Sequence, residues 1–367
     1  MTRRHRSAPL RVGVAAAGVL ALVACSPSAG PTPTISHPGP GPSTGPGQSS
    51  GPGGVRAFGG QRIFSPDSFW YADVRDAPAN PDSARMVDAL TGQLRDRYGG
   101  VAAFNVRQYT ANIVSVGAGQ PRHDVVFDNC QHKGYVPQGL TGKKGEFRGV
   151  PIPDSAIPAA GRDSSLSVYD RDSSTLWELW RVKKQPDGWH ACWGGRIDDT
   201  RTNPGYFHNG FGSTASGLAQ LAGAVQLSDI RAGTIDHAMA LAIPNVAPWK
   251  DVSWPAQRSD GSSTSDSPIP MGTRFRLDPS IDVNSLGLGR LATMVAHAAQ
   301  QYGFIVTDKA GAVSVIGESG ATEQAISGTD PWNAILDGAH TYQVLKGFPW
   351  DKLQALPRDY GQPSSQS

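Results

Sequence analysis

Ser165-Leu-Ser-Val-Tyr169, Thr175-Leu-Trp-Glu-Leu-Trp-Arg-Val182 and Trp189-His-Ala-Cys-Trp-Gly-Gly-Arg-Ile197 decide the reading of this chain. Each is a short run rich in β-branched and aromatic residues. Turn-forming stretches separate them, Asp170 to Ser174 and Pro186-Asp-Gly188. Runs of that length and composition, punctuated in that way, predict an antiparallel meander of three strands. Alternation then sorts the side chains of the second strand. Leu176, Glu178, Trp180 and Val182 share one face, and Thr175, Trp177, Leu179 and Arg181 the other. On the third strand His190, Arg196 and Asp198 have one parity, and Trp189, Trp193 and Ile197 the other.

Working outward, residues 82–98 read as a helix, with Asp82 at its start, Met86, Val87, Leu90 and Leu94 at helical spacing, and Gly99-Gly100 as the stop. Strand character follows in Phe104–Tyr109 and Asp124–Phe127, and a Pro/Gly-rich stretch over 137–161 must run extended around its prolines. Residues 214–230 read as a second helix ended by Gly233, and 286–302 as a third. Thr234–Ile243 and Arg274–Leu277 are strand-like, and 304–307 with 312–316 read as a hairpin. Strands dominate the middle without a βαβ rhythm. The expected fold is mainly β (α+β), an antiparallel β-sandwich or jelly-roll-like core with peripheral helices. An α+β domain with a smaller sheet is the alternative.

The ends carry an address. Arg3, Arg4, Arg6 and Arg11 precede an apolar run over 12–24 that is short for a membrane span, and Leu22-Val-Ala-Cys25 resembles a bacterial lipobox. Residues 1–24 are therefore expected to be a lipoprotein signal peptide. Cys25 would be the lipidated (palmitate-bearing) first residue of the mature chain. Residues 25–55 follow as a disordered Pro/Gly/Ser linker, 56–360 as a single β-rich globular domain and 361–367 as a frayed tail. The expected location is the extracellular face of the cell membrane, with the membrane reached through the N-terminal lipid. Of three cysteines, two then remain, and in an exported protein Cys130 and Cys192 are expected to pair, a closure that stabilises by roughly 4 kcal/mol. Loss of four arginines with the leader leaves 29 basic residues against 31 acidic, so no basic nucleic-acid surface is expected.

No Gly-X-Ser-X-Gly, His-Glu-X-X-His or phosphate-binding loop is present. A carboxylate beside tryptophans on a sheet face suits sugar chemistry, since an indole packs on a pyranose face and a carboxyl group moves protons. Glu178, Asp198 and His237 are the candidate catalytic residues, the last because it lies between apolar neighbours in Ile235–Leu241 with an acid beside it. Trp180, Arg196 and Tyr206 are the candidate binding residues, and a Tyr/His pair in the Asn203–His208 loop would also suit β-elimination of a uronate. Each has a plainer reading: core tryptophan, ion-paired glutamate, satisfied histidine, structural turn. No metal site and no cofactor are expected, a Ca²⁺ ion among Asp198, Asp199 and nearby carbonyls being the one exception considered. The first expectation is a membrane-tethered glycoside hydrolase or polysaccharide lyase acting on cell-wall or environmental polysaccharide. The alternatives are a non-catalytic polysaccharide- or protein-binding envelope lipoprotein, or a structural one without ligand.

Seven pieces occur in a distinctive order: 65–70 (SPDSFW), 176–180 (LWELW, after Tyr169-Asp170), 189–198 (WHACWGGRID), 214–218 (TASGL), 233–238 (GTIDHA), 270–277 (PMGTRFRL) and 301–308 (QYGFIVTD). In this order the chain resembles a family of uncharacterised secreted bacterial (lipo)proteins, over most of residues 60–320. The resemblance implies a secreted single domain and assigns no catalytic residue. The anchoring expectation is checked by fractionation and mass: Cys25→Ser should lose the acyl mass increment and leave the membrane fraction, and identical fractionation of both forms would contradict it.

Overall fold

The computed structural model describes residues 61–364. The expected signal peptide, lipidated cysteine and linker lie outside the described residues, as do the last three residues of the tail. In chain order the elements begin with α1 (Ser83–Asp96), β1 (Ala103–Asn105), β2 (Ile113–Val116), β3 (Val126–Phe127) and α2 (Gln138–Thr141). The central strands are β4 (Leu166–Asp170), β5 (Thr175–Trp180), β6 (Lys183–Gln185), β7 (Gly188–Ala191) and β8 (Trp193–Ile197). Then come α3 (Gln220–Gly223), α4 (Leu227–Ala232), β9 (Met239–Ile243), β10 (Arg274–Leu277), α5 (Arg290–Gln301), β11 (Phe304–Lys309) and β12 (Ser314–Ile316). α6 (Ala321–Ser327), α7 (Trp332–Leu336) and β13 (Leu353–Ala355) close the chain.

The meander is present, and it is broken at one level. β4, β5 and β8 pair antiparallel, with Glu178 opposite Gly195 and Trp177 opposite Arg196. Neither the second nor the third expected strand is continuous. Arg181 has φ 55°, a left-handed conformation that cannot extend a strand, and Cys192 separates β7 from β8. Beyond that level the ribbon leaves the four-stranded sheet (order β2-β4-β5-β8) and continues as a three-stranded one (order β3-β7-β6). The break is pinned by the Cys130–Cys192 disulfide, Cα atoms 5.7 Å apart, and by the Cys192 N–H donating to Trp180 O at 3.0 Å.

The remaining strands form a six-stranded sheet, order β1-β12-β9-β11-β10-β13. Here the expected hairpin of 304–307 with 312–316 is corrected: β11 and β12 flank β9, one parallel and one antiparallel to it, and do not pair with each other. β1/β12, β2/β4, β3/β7 and β9/β11 are parallel ladders, and α5 lies between the parallel strands β9 and β11 in sequence. The architecture is α+β with mixed sheets. The purely antiparallel sandwich or jelly-roll expectation does not describe this pairing.

Strand β9 shows how two cores arise from one alternating sequence. Met239, Leu241 and Ile243 enter a core shared with α1 and α5, while Ala238, Ala240 and Ala242 face a second core shared with the four-stranded sheet. The alanine face leaves room for the fully buried Trp70, whose indole N–H donates to Gly205 O at 3.2 Å. Gly223 sits in the same contact, where a Cβ would lie 2.6 Å from the indole. Gly194 and Gly195 do the equivalent on β8. A Cβ at the first would meet Phe147 at 2.9 Å, and at the second Phe207 at 2.6 Å.

The expected helix over 214–230 is corrected to two short ones, α3 and α4, separated by an extended Val225 whose N–H donates to Ile316 O. Helices of four and six residues do not hold themselves. Buried carboxyl groups hold them instead. Glu178, at 0% exposure, accepts from the Gln220 and Leu221 N–H groups at 2.9 Å each, from Ser213 Oγ at 2.9 Å and from Ser167 Oγ at 3.4 Å. Glu318 accepts from the Leu227 N–H at 2.9 Å, at the start of α4. Each satisfies helix-end donors that have no partner within the helix.

Replacing Glu178 tests this. Glu178→Ala leaves two buried N–H groups unpaired and should cost about 3 kcal/mol or more in denaturant unfolding. Glu178→Gln, which keeps one acceptor oxygen, should cost less, and a loss near zero for the alanine variant would contradict the clamp.

Candidate functional site

The register sorts the candidate residues by face. Glu178 lies on the inner face of the four-stranded sheet with Gly195, Leu176 and Ile197. Arg196 lies on the opposite face beside Trp177, with Asp198 at the end of the same strand. Glu178 and Asp198 therefore do not form a pair across one cleft. Glu178 is enclosed, its four donors occupy both carboxylate oxygens, and its part is architectural. Burial pushes its pKa up, while the Leu221, Gln220, Ser213 and Ser167 donors hold it down less strongly.

Arg196 and Asp198 do come together, and a residue the sequence reading passed over joins them. The Arg196 guanidinium pairs with Asp198 at 2.6 Å from Nε, and the Arg196 main-chain N–H donates to Glu146 Oε2 at 2.8 Å. Glu146 is half-buried, whereas the Asp198 side chain is 77% exposed. Burial raises the Glu146 carboxyl to about 7, with the Arg196 N–H and guanidinium pulling down and the Asp198 charge pushing up. One carboxyl group thus holds its proton close to neutrality beside a second, ion-paired carboxylate. That arrangement is how one site carries both an acid and a base.

A chain of hydrogen bonds leads from the Asp198 main chain to a cavity. Thr175 Oγ1 donates to Asp198 O at 2.9 Å and accepts from Ser173 Oγ at 2.9 Å. Ser173 lines a cavity of 340 Å³ between the 117–120 loop and the turn carrying Asp170 and Asp172. Arg122 crosses it, paired with Asp170 at 2.7 Å and with its guanidinium 5.8 Å from the Trp177 ring centre. The volume lies in the range of small-ligand sites.

The other candidates lie elsewhere. His237 is buried, with Nδ1 2.8 Å from Ala238 O and Nε2 3.2 Å from Asp229 Oδ2. Both neighbours are acceptors, so both ring nitrogens donate, and the ring is held as an imidazolium rather than as a free base. Burial pulls its pKa down, and the Asp229 carboxylate outweighs it, so the net shift is upward. Trp180 is half-buried, its N–H donating to Asp163 at 3.0 Å and its ring 5.1 Å from the Arg181 guanidinium. Tyr206 packs edge-on against His208 and stacks at 6.5 Å on Phe69, in a turn organised by Asn203. Asp198 and Asp199 do not converge on an ion: Asp199 pairs with Arg201 at 2.9 Å and caps the next turn. Among the described residues no group of three or more His, Cys, Asp or Glu is arranged to hold a metal, and no helix is long and apolar enough to cross a membrane.

Two further acids with raised pKa values also escaped the sequence reading. Asp308 follows a register shift in β11 and is pushed to about 7 by burial and by Asp260, and Glu318 is pushed to about 8 by burial. His190, between Asp128 at 2.9 Å and Asp187 at 3.0 Å, is raised because those two carboxylates outweigh its burial. Comparison with known protein families, with curated proteins and with solved structures finds no match to this chain.

These shifts have one sign for stability. A group whose pKa is higher in the folded chain binds more protons there, so its contribution fades as pH rises through that value. Glu146, Asp308, Glu318, His190 and His237 all act this way above pH 5, while the lowered carboxyls, Asp73, Asp124 and Asp128 among them, act oppositely only in acid. The melting temperature should fall between about pH 5 and about pH 8. A rise over that interval, followed by calorimetry, would contradict the assignment.

Proposed function

We propose that this chain is a carbohydrate-active enzyme, a glycoside hydrolase. Glu146 is its proton donor, Asp198 its second carboxylate and Arg196 the residue that links them. The observation that carries the reading is Glu146 itself, a half-buried carboxyl group raised to about 7 next to a solvent-facing carboxylate. A glycosidic oxygen is a poor leaving group until protonated, and a carboxylic acid that keeps its proton near neutral pH supplies that proton. Glu146 gives its proton to the leaving oxygen as the bond to the anomeric carbon breaks. Asp198 takes a proton from the water that attacks that carbon. The cavity bordered by Ser173, Asp170 and Arg122 offers polar groups for the neighbouring sugar hydroxyls.

The setting follows from the leader. With residues 1–24 removed and Cys25 acylated, the domain is tethered at the extracellular face of the membrane, where cell-wall or environmental polysaccharide is the polymer within reach. Glu178 supports the fold of this enzyme rather than its chemistry, and His237 fixes the start of β9 through Ala238.

The test is turnover by the full chain on a panel of wall and environmental polysaccharides, read as new reducing ends. Glu146→Gln keeps the hydrogen bond from Arg196 and removes the proton, and it should lower the rate by about 10²–10⁴-fold. Wild-type activity should decline above about pH 7, as Glu146 ionises. Unchanged turnover in Glu146→Gln would overturn the assignment.

A further inference from the structure

A second cavity, of 460 Å³, opens where the ribbon breaks, beside the Cys130–Cys192 disulfide. Arg162, Arg181 and Lys183 border it, against a single carboxylate, Asp128. That carboxylate is already neutralised. Lys183 Nζ lies 2.8 Å from one of its oxygens and His190 Nδ1 lies 2.9 Å from the other. The two arginines, by contrast, have no carboxylate partner among the described residues. Arg162 is exposed, and the Arg181 guanidinium rests over the Trp180 ring with Nε donating to the Arg162 carbonyl at 3.3 Å. Two arginines without a carboxylate partner among the described residues, both lining one cavity, give it a positive field and forked donors suited to an oxyanion.

The walls are fixed rather than loose. The disulfide forms one side. Main-chain bonds from Arg181 N to Asp163 O at 2.7 Å and from Val182 N to Ser164 O at 3.0 Å join the two arginine-bearing segments. Ser164 and Arg181 hold φ of 38° and 55°, values that non-glycine residues adopt only where the surroundings impose them. The Asp163 carboxylate, between Arg162 and Ser164 in sequence, accepts instead from the Trp180 indole.

We propose that this cavity binds an oxyanion-bearing sugar unit, the carboxylate of a uronate or the sulfate of a sulfated residue, on the polysaccharide that the chain engages. The sugar rests on the carbohydrate reading above; the negative charge rests on the cavity alone. Arg162 and Arg181 grip the oxyanion, and Lys183 adds field while remaining tied to Asp128. The cavity lies at the Cys192 level of the sheet. Arg196 is four residues further along the chain, roughly 13 Å at strand rise, so the cavity is a separate site from the Glu146 cluster.

Titration calorimetry of the full chain in detergent, with galacturonic acid trimer, galactotriose and sodium sulfate as probes, tests the proposal. The acidic trimer should bind, galactotriose should not, and sulfate should displace the acidic trimer. Raising salt from about 0.05 M to about 0.5 M should weaken the binding, because salt screens exposed charge. Arg162→Ala and Arg181→Asn, the latter chosen because asparagine tolerates the left-handed backbone, should each weaken it by about tenfold with unchanged melting temperature. Equal binding of both trimers, or affinities unchanged in both variants, would overturn the proposal. The same titrations on Glu146→Gln separate the two readings. Binding through Arg162 without any wild-type turnover would overturn the hydrolase reading alone. Turnover without binding of the acidic trimer would overturn the anion site alone.

Discussion

Four donors converge on Glu178, and the arrangement of the rest follows from that burial. The carboxyl group stands on the inner face of the central sheet and takes the first N–H groups of α3, together with the hydroxyls of Ser213 and Ser167. It therefore joins β4, β5, the Ser213 segment and the start of α3 at one point. Glu318 accepts from the Leu227 N–H at the start of α4. Removing a carboxyl group from water is expensive unless every lone pair is used, and here the pairing helix ends are too short to survive without it. The two features need each other.

That constraint also decides where chemistry can occur. With Glu178 directed inward, strand alternation directs Trp177 and Arg196 to the opposite face, where the 137–159 segment folds back and delivers Glu146 to the Arg196 N–H. The glycines of β8 let aromatic rings approach on both sides, Phe147 on the Glu146 side and Phe207 within the core. Phe147 is the next residue after Glu146, so the packing that fills the sheet face also sets the acid in place. The ribbon break at Arg181 and Cys192 turns the far end of the same strands into a second, positively charged hollow.

Local signals in the sequence were legible where a single element determines the outcome. The helix over 82–98 is α1, the turns at 170–174 and 186–188 are where expected, and Cys130 and Cys192 are bridged. Signals that depend on partners were not. Nothing in Phe304–Ile316 indicates that β9 will lie between its two strands, because that pairing is set by α5 carrying the chain back parallel to β9. Residues 214–230 carry a helical apolar pattern, yet Val225 is more stable paired with Ile316 than inside a helix. For the site, Arg196 and Asp198 were visible as polar residues of one parity. Glu146 was not, since it sits in Lys-Gly-Glu-Phe, a polar patch of an irregular segment with no periodicity, and its raised pKa arises chiefly from burial against a strand fifty residues away.

Glu146 holds a proton near neutrality while packed against Arg196. Infrared difference spectroscopy of the carboxyl band, wild type minus Glu146→Gln, reads that proton across a pH titration. A protonated-carboxyl signal should disappear with a midpoint near 7. A midpoint in the ordinary glutamate range, about 4.3, would contradict it.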